Sequence, residues 1–239
     1  MRVYLDPPGI WGQKSPNDLV GVALKREGKV ERTTKETSIS VHVLLNGCSN
    51  DTHVDTGTPF LDQFYTVLAK EACMTLKIKC KGDLWVDDHH TAEDVSIAIG
   101  QCLTQALGTK AGLNRMWLSG ATRENTSVEV TMDLSNRPYF EHNLHETLGR
   151  QEYVDCENDK ASDNGILLSC EMLEHCLDSL VMNSRMTVHI VQIEAKEPSS
   201  VADVALCTAM AFGRALRVCA MVDQRRAGTT ASSKGTLSV

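Results

Sequence analysis

The chain predicts an α/β fold, an α+β sandwich made of two similar halves. Three observations carry that expectation. Short alternating apolar runs, typical of strands buried on one face, are interleaved with longer runs of helical period. The same order of runs recurs in the second half. The letters also repeat. Gln63 closes Phe60-Leu61-Asp62-Gln63 eleven residues before Met74-Thr75-Leu76-Lys77-Ile78, and His175 closes Met172-Leu173-Glu174-His175 eleven residues before Met186-Thr187-Val188-His189-Ile190. Helix–strand–helix units that repeat in this way bury their sheets together. The expected organisation is an N-terminal extension over residues 1–28, a first half over 29–119 and a second half over 120–239.

In chain order, Pro7, Pro8, Gly9 and Gly12 mark the extension as poorly packed, with at most a weak helix over 17–25. Residues 29–45 read as one half-buried strand, with Ile39, Val41, Val43 and Leu45 on one face, ended by the turn pair Asn46-Gly47. Gly57-Thr58-Pro59 introduces a helix carrying Phe60, Leu61, Phe64, Val67 and Leu68. A second strand over 74–80 closes at Gly82-Asp83, and a long helix then runs to Gly108. The second half gives a strand through Val128, Val130, Met132 and Leu134, a polar loop over 155–165, and a helix over 167–182. A strand over 186–190 and a helix over 201–218 complete it, and the tail from Arg225 has no hydrophobic period.

The 239 residues can bury a sizeable core, and 42% hydrophobic with 23% charged residues is ordinary for a soluble domain. A net charge of -7 argues against a general nucleic-acid binder but leaves room for a local basic phosphate site. No apolar run reaches membrane-span length, so no membrane partner is expected. Asp6 and Pro7-Pro8-Gly9 stand where the apolar core of a secretory signal would lie. The nine cysteines contain no Cys-x-x-Cys pair and read as reduced, buried small hydrophobes of a cytoplasmic protein.

The chemistry concentrates in Asp87-Asp88-His89-His90-Thr91-Ala92-Glu93-Asp94. Thr91 or the preceding aspartates can cap a helix here, on which His89 and His90 share a face with Glu93. Imidazole and carboxylate on one face suit a borderline metal such as zinc, manganese or iron. A charged helix start whose histidines only hydrogen-bond fits the same letters.

Further markers extend the pattern. They are Arg32-Thr33-Thr34-Lys35-Glu36-Thr37, Phe60-Leu61-Asp62, Gly82-Asp83, Asp133-Leu134-Ser135-x-Arg137-Pro138-Tyr139, Glu174-His175, and the tail Arg225-Arg226-Ala227-Gly228 with Ser232-Ser233-Lys234-Gly235. Together they resemble the imidazoleglycerol-phosphate dehydratase family over residues 29–237. The resemblance implies an internally duplicated sandwich, assembled through trimers into a 24-subunit homo-oligomer with active sites shared between subunits. It implies dehydration of the small-molecule substrate imidazole glycerol phosphate to imidazole acetol phosphate, in histidine biosynthesis. It also implies two manganese ions per site, held by six histidines and two glutamates. Carried over residue by residue, His89, His90, Glu93 and His175 are metal ligands. Glu36 and Glu93 are candidates for acid–base work, and Arg115, Arg137, Ser233 and Lys234 hold the substrate phosphate.

The match is incomplete. Where the family's first half has a histidine after Phe-Leu-Asp stands Gln63, and the second His-His-x-x-Glu falls on Ala202, Asp203 and Leu206, or in a shifted alignment on Ser199, Ser200 and Asp203, neither giving an imidazole. A lysine of the last helix falls on Met210, and an Asp-Glu pair falls on Glu124-Asn125. Four of eight ligands remain, enough for one manganese ion or none rather than two. The expectation is therefore a dehydratase with a degraded metal site. The alternatives are a repurposed enzyme working largely without metal on a less polar molecule, by isomerisation, cyclisation or dehydration, and a non-catalytic assembly subunit.

Overall fold

The strand expected over 29–45 is a hairpin. In the computed structural model, which describes residues 26–150, 152–154, 167–193 and 199–237, β1 (Glu27–Thr33) pairs antiparallel with β2 (Thr37–Leu44). The turn contains no glycine, proline or asparagine. The Thr34 hydroxyl makes it instead, accepting from the backbone N–H of Glu36 at 3.1 Å and of Thr37 at 2.9 Å. Glu36 therefore sits at a hairpin tip rather than along a strand.

The first half continues with β3 (His53–Asp55), α1 (Pro59–Glu71), β4 (Thr75–Gly82) and α2 (His89–Leu107). Pro59 lies in the first turn of α1, where its missing N–H costs nothing. Asp62 ties the turn before α1, accepting from the Thr56 N–H at 2.8 Å and hydroxyl at 2.6 Å. Gly108, at φ 55°, ends α2 as its spacing predicts. The second half contains β5 (Met116–Arg123), β6 (Thr126–Asp133), β7 (Tyr139–His142), α3 (His145–Leu148), β8 (Tyr153–Val154), β9 (Leu168–Ser169), α4 (Cys170–Ser184), β10 (Thr187–Ile193) and α5 (Val201–Cys219). Strand β5 runs across the expected division at 119/120. Helix α4 begins later than the expected residue 167, because Leu168 and Ser169 pair with β8. The helix over 17–25 and the polar loop over 155–165 lie outside the described residues.

The two main sheets have the same plan, β1-β2-β4-β3 and β5-β6-β10-β7. In each, one hairpin is followed by an antiparallel third strand and a parallel edge strand. Helix α2 lies on β1 and β2 and packs against α4 of the other half, while α5 lies on β5 and β6 and packs against α1. One continuous core joins both sheets and all four long helices. Among the described residues, no helix is long and apolar enough to cross a membrane. The eight described cysteines are free thiols, six of them buried. Burial pushes Cys80, Cys102 and Cys176 up to about 12, so they behave as small apolar side chains.

Two glycines show how closely the halves match. A Cβ on Gly100 would meet the Leu180 carbonyl at 2.8 Å, Asn183 Cβ at 2.7 Å and the Ser184 nitrogen at 2.9 Å. A Cβ on Gly213 would meet the same three atoms one repeat away: the Leu68 carbonyl at 2.5 Å, Glu71 Cβ at 2.8 Å and the Ala72 nitrogen at 3.0 Å. Each glycine lets its helix touch the backbone of the helix opposite. Gly100→Ala and Gly213→Ala are therefore each expected to destabilise the fold. The overpacking cost of about 1–3 kcal/mol outweighs the gain in helix propensity of about 1 kcal/mol. Urea midpoints at constant m-value check this.

Candidate active site

The first turn of α2 gathers the predicted donors. Asp83, buried at the end of β4, holds the His90 Nδ1 at 3.1 and 3.3 Å from its two carboxylate oxygens. That bond places the proton on Nδ1 and leaves the Nε2 lone pair facing outward, 3.9 Å from a Glu36 oxygen at the hairpin tip. It is also the main reason the His90 pKa is raised, with the charges of Glu36, Asp83 and Asp87 adding to it. One turn of helix brings His89 Nε2 to 3.4 Å from Glu93. On the far side, the ring centroid of His175 on α4 lies 5.4 Å from that of His89. Thus Glu36, His89, His90, Glu93 and His175 share one neighbourhood. Among the described residues, no three of them converge closely enough within one chain to ligate a common ion.

The segment is fixed from behind. No side chain caps α2 in the usual way. Asp87 accepts from the His89 N–H at 3.0 Å, and Asp88 reaches across to Ser169, accepting from its N–H at 2.6 Å and its hydroxyl at 2.8 Å. Asp94 binds the Thr37 hydroxyl at 2.7 Å and Arg32 at 2.6 Å, anchoring the turn end of the hairpin to α2. Gly82 is required because a side chain there would strike the Thr91 hydroxyl at 1.9 Å. Asp83, which the sequence offered only as the close of a strand, emerges as the residue that aims His90. Replacing it by asparagine is expected to weaken divalent-metal affinity by about 10–100-fold, measured by calorimetry with manganese.

The residues expected to hold a phosphate are linked through the C-terminal tail. Arg115 forks onto Asp133, Nε at 2.6 Å and Nη2 at 2.8 Å, and its Nη1 donates to the Ala231 carbonyl. Three of its five N–H donors are thereby committed to Asp133 and to the tail, an arrangement the sequence did not reveal. Asn136 donates to the Leu237 carbonyl at 2.6 Å. The tail is thus tied at both ends, and Ser233 and Lys234 project between the ties, exposed, as is Arg137. Near Arg115, Lys110 is buried with no hydrogen-bond partner for Nζ among the described residues. Burial, with Arg185 nearby, lowers its pKa from 10.5 to about 8. Between those values the unfolded chain binds the extra proton, so the native chain gains stability as pH rises through that window. Lys110→Met should therefore stabilise most below pH 8, and its advantage should shrink toward pH 10, as thermal melts across that range would report.

The imidazoleglycerol-phosphate dehydratase family model matches residues 56–216. The chain is 38% identical over 213 residues to the chloroplastic imidazoleglycerol-phosphate dehydratase of Pisum sativum, covering 89% of this chain and 69% of that one. It is 37% identical over 217 residues to dehydratase 1 of Arabidopsis thaliana, covering 91% and 74%. The chain belongs to the imidazoleglycerol-phosphate dehydratase family. The family fold is shared with the Staphylococcus aureus dehydratase structure, at a TM-score of 0.64 and 24% identity over 82% of this chain and 99% of that one. The dehydratase of Pyrococcus furiosus gives the same TM-score at 25% identity, over 87% and 99%.

Within this dehydratase fold the internal repeat gives each donor a counterpart. The 113-residue offset that relates Gly100 to Gly213 carries His89, His90 and Glu93 onto Ala202, Asp203 and Leu206. The matching contacts of α4 and α1 carry His175 onto Gln63. Leu206 is buried among apolar neighbours. Asp203 accepts from the Ser200 hydroxyl at 2.7 Å and from Arg123 Nε at 2.8 Å. Gln63 has its side-chain oxygen buried without a hydrogen-bond partner among the described residues. In the first half a hairpin carboxylate, Glu36, faces a helix imidazole. In the second half a hairpin guanidinium, Arg123, faces a helix carboxylate.

Proposed function

We propose that the chain dehydrates imidazole glycerol phosphate to imidazole acetol phosphate with a metal site built from His89, His90 and Glu93 on α2 and His175 on α4. The observation carrying this reading is the His90 imidazole, aimed by Asp83 so that its lone pair faces outward beside Glu36, with His89, Glu93 and His175 adjacent. Three imidazoles and a carboxylate fit one borderline divalent ion such as manganese; the Arg123–Asp203 pair at the matching second-half position offers it no neutral nitrogen donor. When bound, such an ion would supply Lewis-acid stabilisation of negative charge developing on the substrate's ring. Glu36, exposed at the hairpin tip, is placed to move the proton that must leave carbon as hydroxide departs. Arg137, Ser233 and Lys234 hold the phosphate, and Arg115 fixes the tail that presents two of them. Because the donors of one chain do not converge, the site is completed by neighbouring subunits of a homo-oligomer, the trimer-based shell of the resemblance. The free thiols support a cytosolic setting.

A second reading has one observation in its favour. Leu206 and Ala202 replace polar donors, and Trp85, 84% exposed, stands in the loop leading into α2. A less polar substrate turned over largely without metal would suit such walls. Expression in a histidine auxotroph lacking the dehydratase separates the readings. Growth without histidine supports the dehydratase. No growth, with the protein soluble and folded, removes it in favour of a repurposed enzyme or an assembly subunit.

A further inference from the structure

We propose that His142, His145 and Glu174 form a second, separate binding site for a borderline divalent cation of the zinc type. His142 ends β7, His145 begins α3 and Glu174 lies in the first turns of α4. One ligand-capable atom from each lies within 4.8 Å of the others. His142 Nε2 is 3.4 Å from one Glu174 oxygen, and His145 Nδ1 is 3.7 Å from the other. The two imidazoles lie 4.3 Å apart between ring centroids. Two nitrogens and one carboxylate make a three-ligand set with a position left open for water or an external ligand. Calcium and magnesium favour all-oxygen sites, so nitrogen donors select against them.

The cluster is distinct from the dehydratase centre. Consecutive residues on a helix point about 100° apart. His175 turns toward His89 on α2, while Glu174 turns toward β7 and α3. His142 is buried, with the Phe140 ring centroid 5.0 Å away on one side, and its burial lowers its pKa. The His145 side chain, 65% exposed, is the side from which an ion can enter. Unlike Leu206 and Asp203 in the second-half helix, these donors are not consumed by apolar packing or by an arginine.

One contact makes the proposal specific. His142 Nδ1 accepts from the Leu144 backbone N–H at 3.1 Å, which puts the ring proton on Nε2, facing Glu174. An ion bound at Nε2 takes the lone pair there, so the ring proton moves to Nδ1 and the Leu144 N–H loses its acceptor. Ion capture is therefore expected to loosen the start of α3, a change that casual adsorption to surface carboxylates does not produce.

The experiment titrates zinc into the intact, manganese-loaded protein by calorimetry and follows amide hydrogen exchange at Leu144. The wild type should bind one additional zinc per chain, with faster exchange at Leu144. His145→Ala, and independently Glu174→Gln, which keeps the side-chain shape, should weaken that zinc by well over the roughly 100-fold that the loss of an outer hydrogen-bond partner costs at most. His89→Ala should leave it unchanged. Equal zinc affinity in wild type and His145→Ala, loss of the zinc in His89→Ala, or unaltered exchange at Leu144 would overturn the proposal.

Discussion

Glu36→Gln is expected to lower kcat for imidazole glycerol phosphate by about 10²–10⁴-fold while leaving KM and thermal stability nearly unchanged. Three features make the effect chemical rather than structural. Glu36 is half-exposed at the tip of the β1–β2 hairpin, so its removal leaves no buried group unpaired. The hairpin turn is held by the Thr34 hydroxyl, which the substitution does not touch. Glutamine keeps the size of the side chain but cannot accept a proton. His90→Gln should behave differently, losing activity and manganese together, because it removes a nitrogen donor that Asp83 has already oriented. Steady-state kinetics alongside metal analysis of the two variants separates proton transfer from metal binding.

Rebuilding the second half should restore a second ion. The variant combining Gln63→His, Ala202→His, Asp203→His, Leu206→Glu and Arg123→Met supplies the repeat counterparts of His175, His89, His90 and Glu93. Arg123 has to go with Asp203. Left alone, it would be a partly buried cation without its carboxylate, and breaking a buried pair on one side costs about 3–5 kcal/mol, less here because Arg123 is one-third exposed. Removing both partners keeps the fold near neutral, while Leu206→Glu carries the main penalty, which an ion repays only when bound. The expected result is one further manganese per chain and a melting temperature that rises with added manganese more steeply than in the parent. A melting temperature indifferent to manganese would mean that the second-half position is not the counterpart assigned to it.

The parts of the fold set by a single chain segment were legible in the letters. Alternation located β2, β4, β6 and β10, and helical period with Pro59 and Gly108 located α1 and α2. The β1–β2 turn was hidden because a threonine hydroxyl does the work usually left to glycine or asparagine. Strand β5 was hidden because Ser119-Gly120-Ala121 has little alternation of its own and is held by pairing with β6. Of the site, the motif donors were legible, but their second partners were not. Asp83 aiming His90, Arg115 committed to Asp133 and Ala231, and Arg123 neutralising Asp203 each join residues from separate elements. His142-x-x-His145 was in plain view, yet it gains meaning only when β7 and α3 bring it to Glu174.

The most direct test is the manganese content of the purified protein after preparation in excess manganese, determined by mass spectrometry in the His145→Ala background so that only the dehydratase centre is counted. No more than one ion per chain is predicted. Two ions per chain would contradict the loss of ligands at Gln63, Ala202, Asp203 and Leu206 and return the protein to the family's full two-metal chemistry.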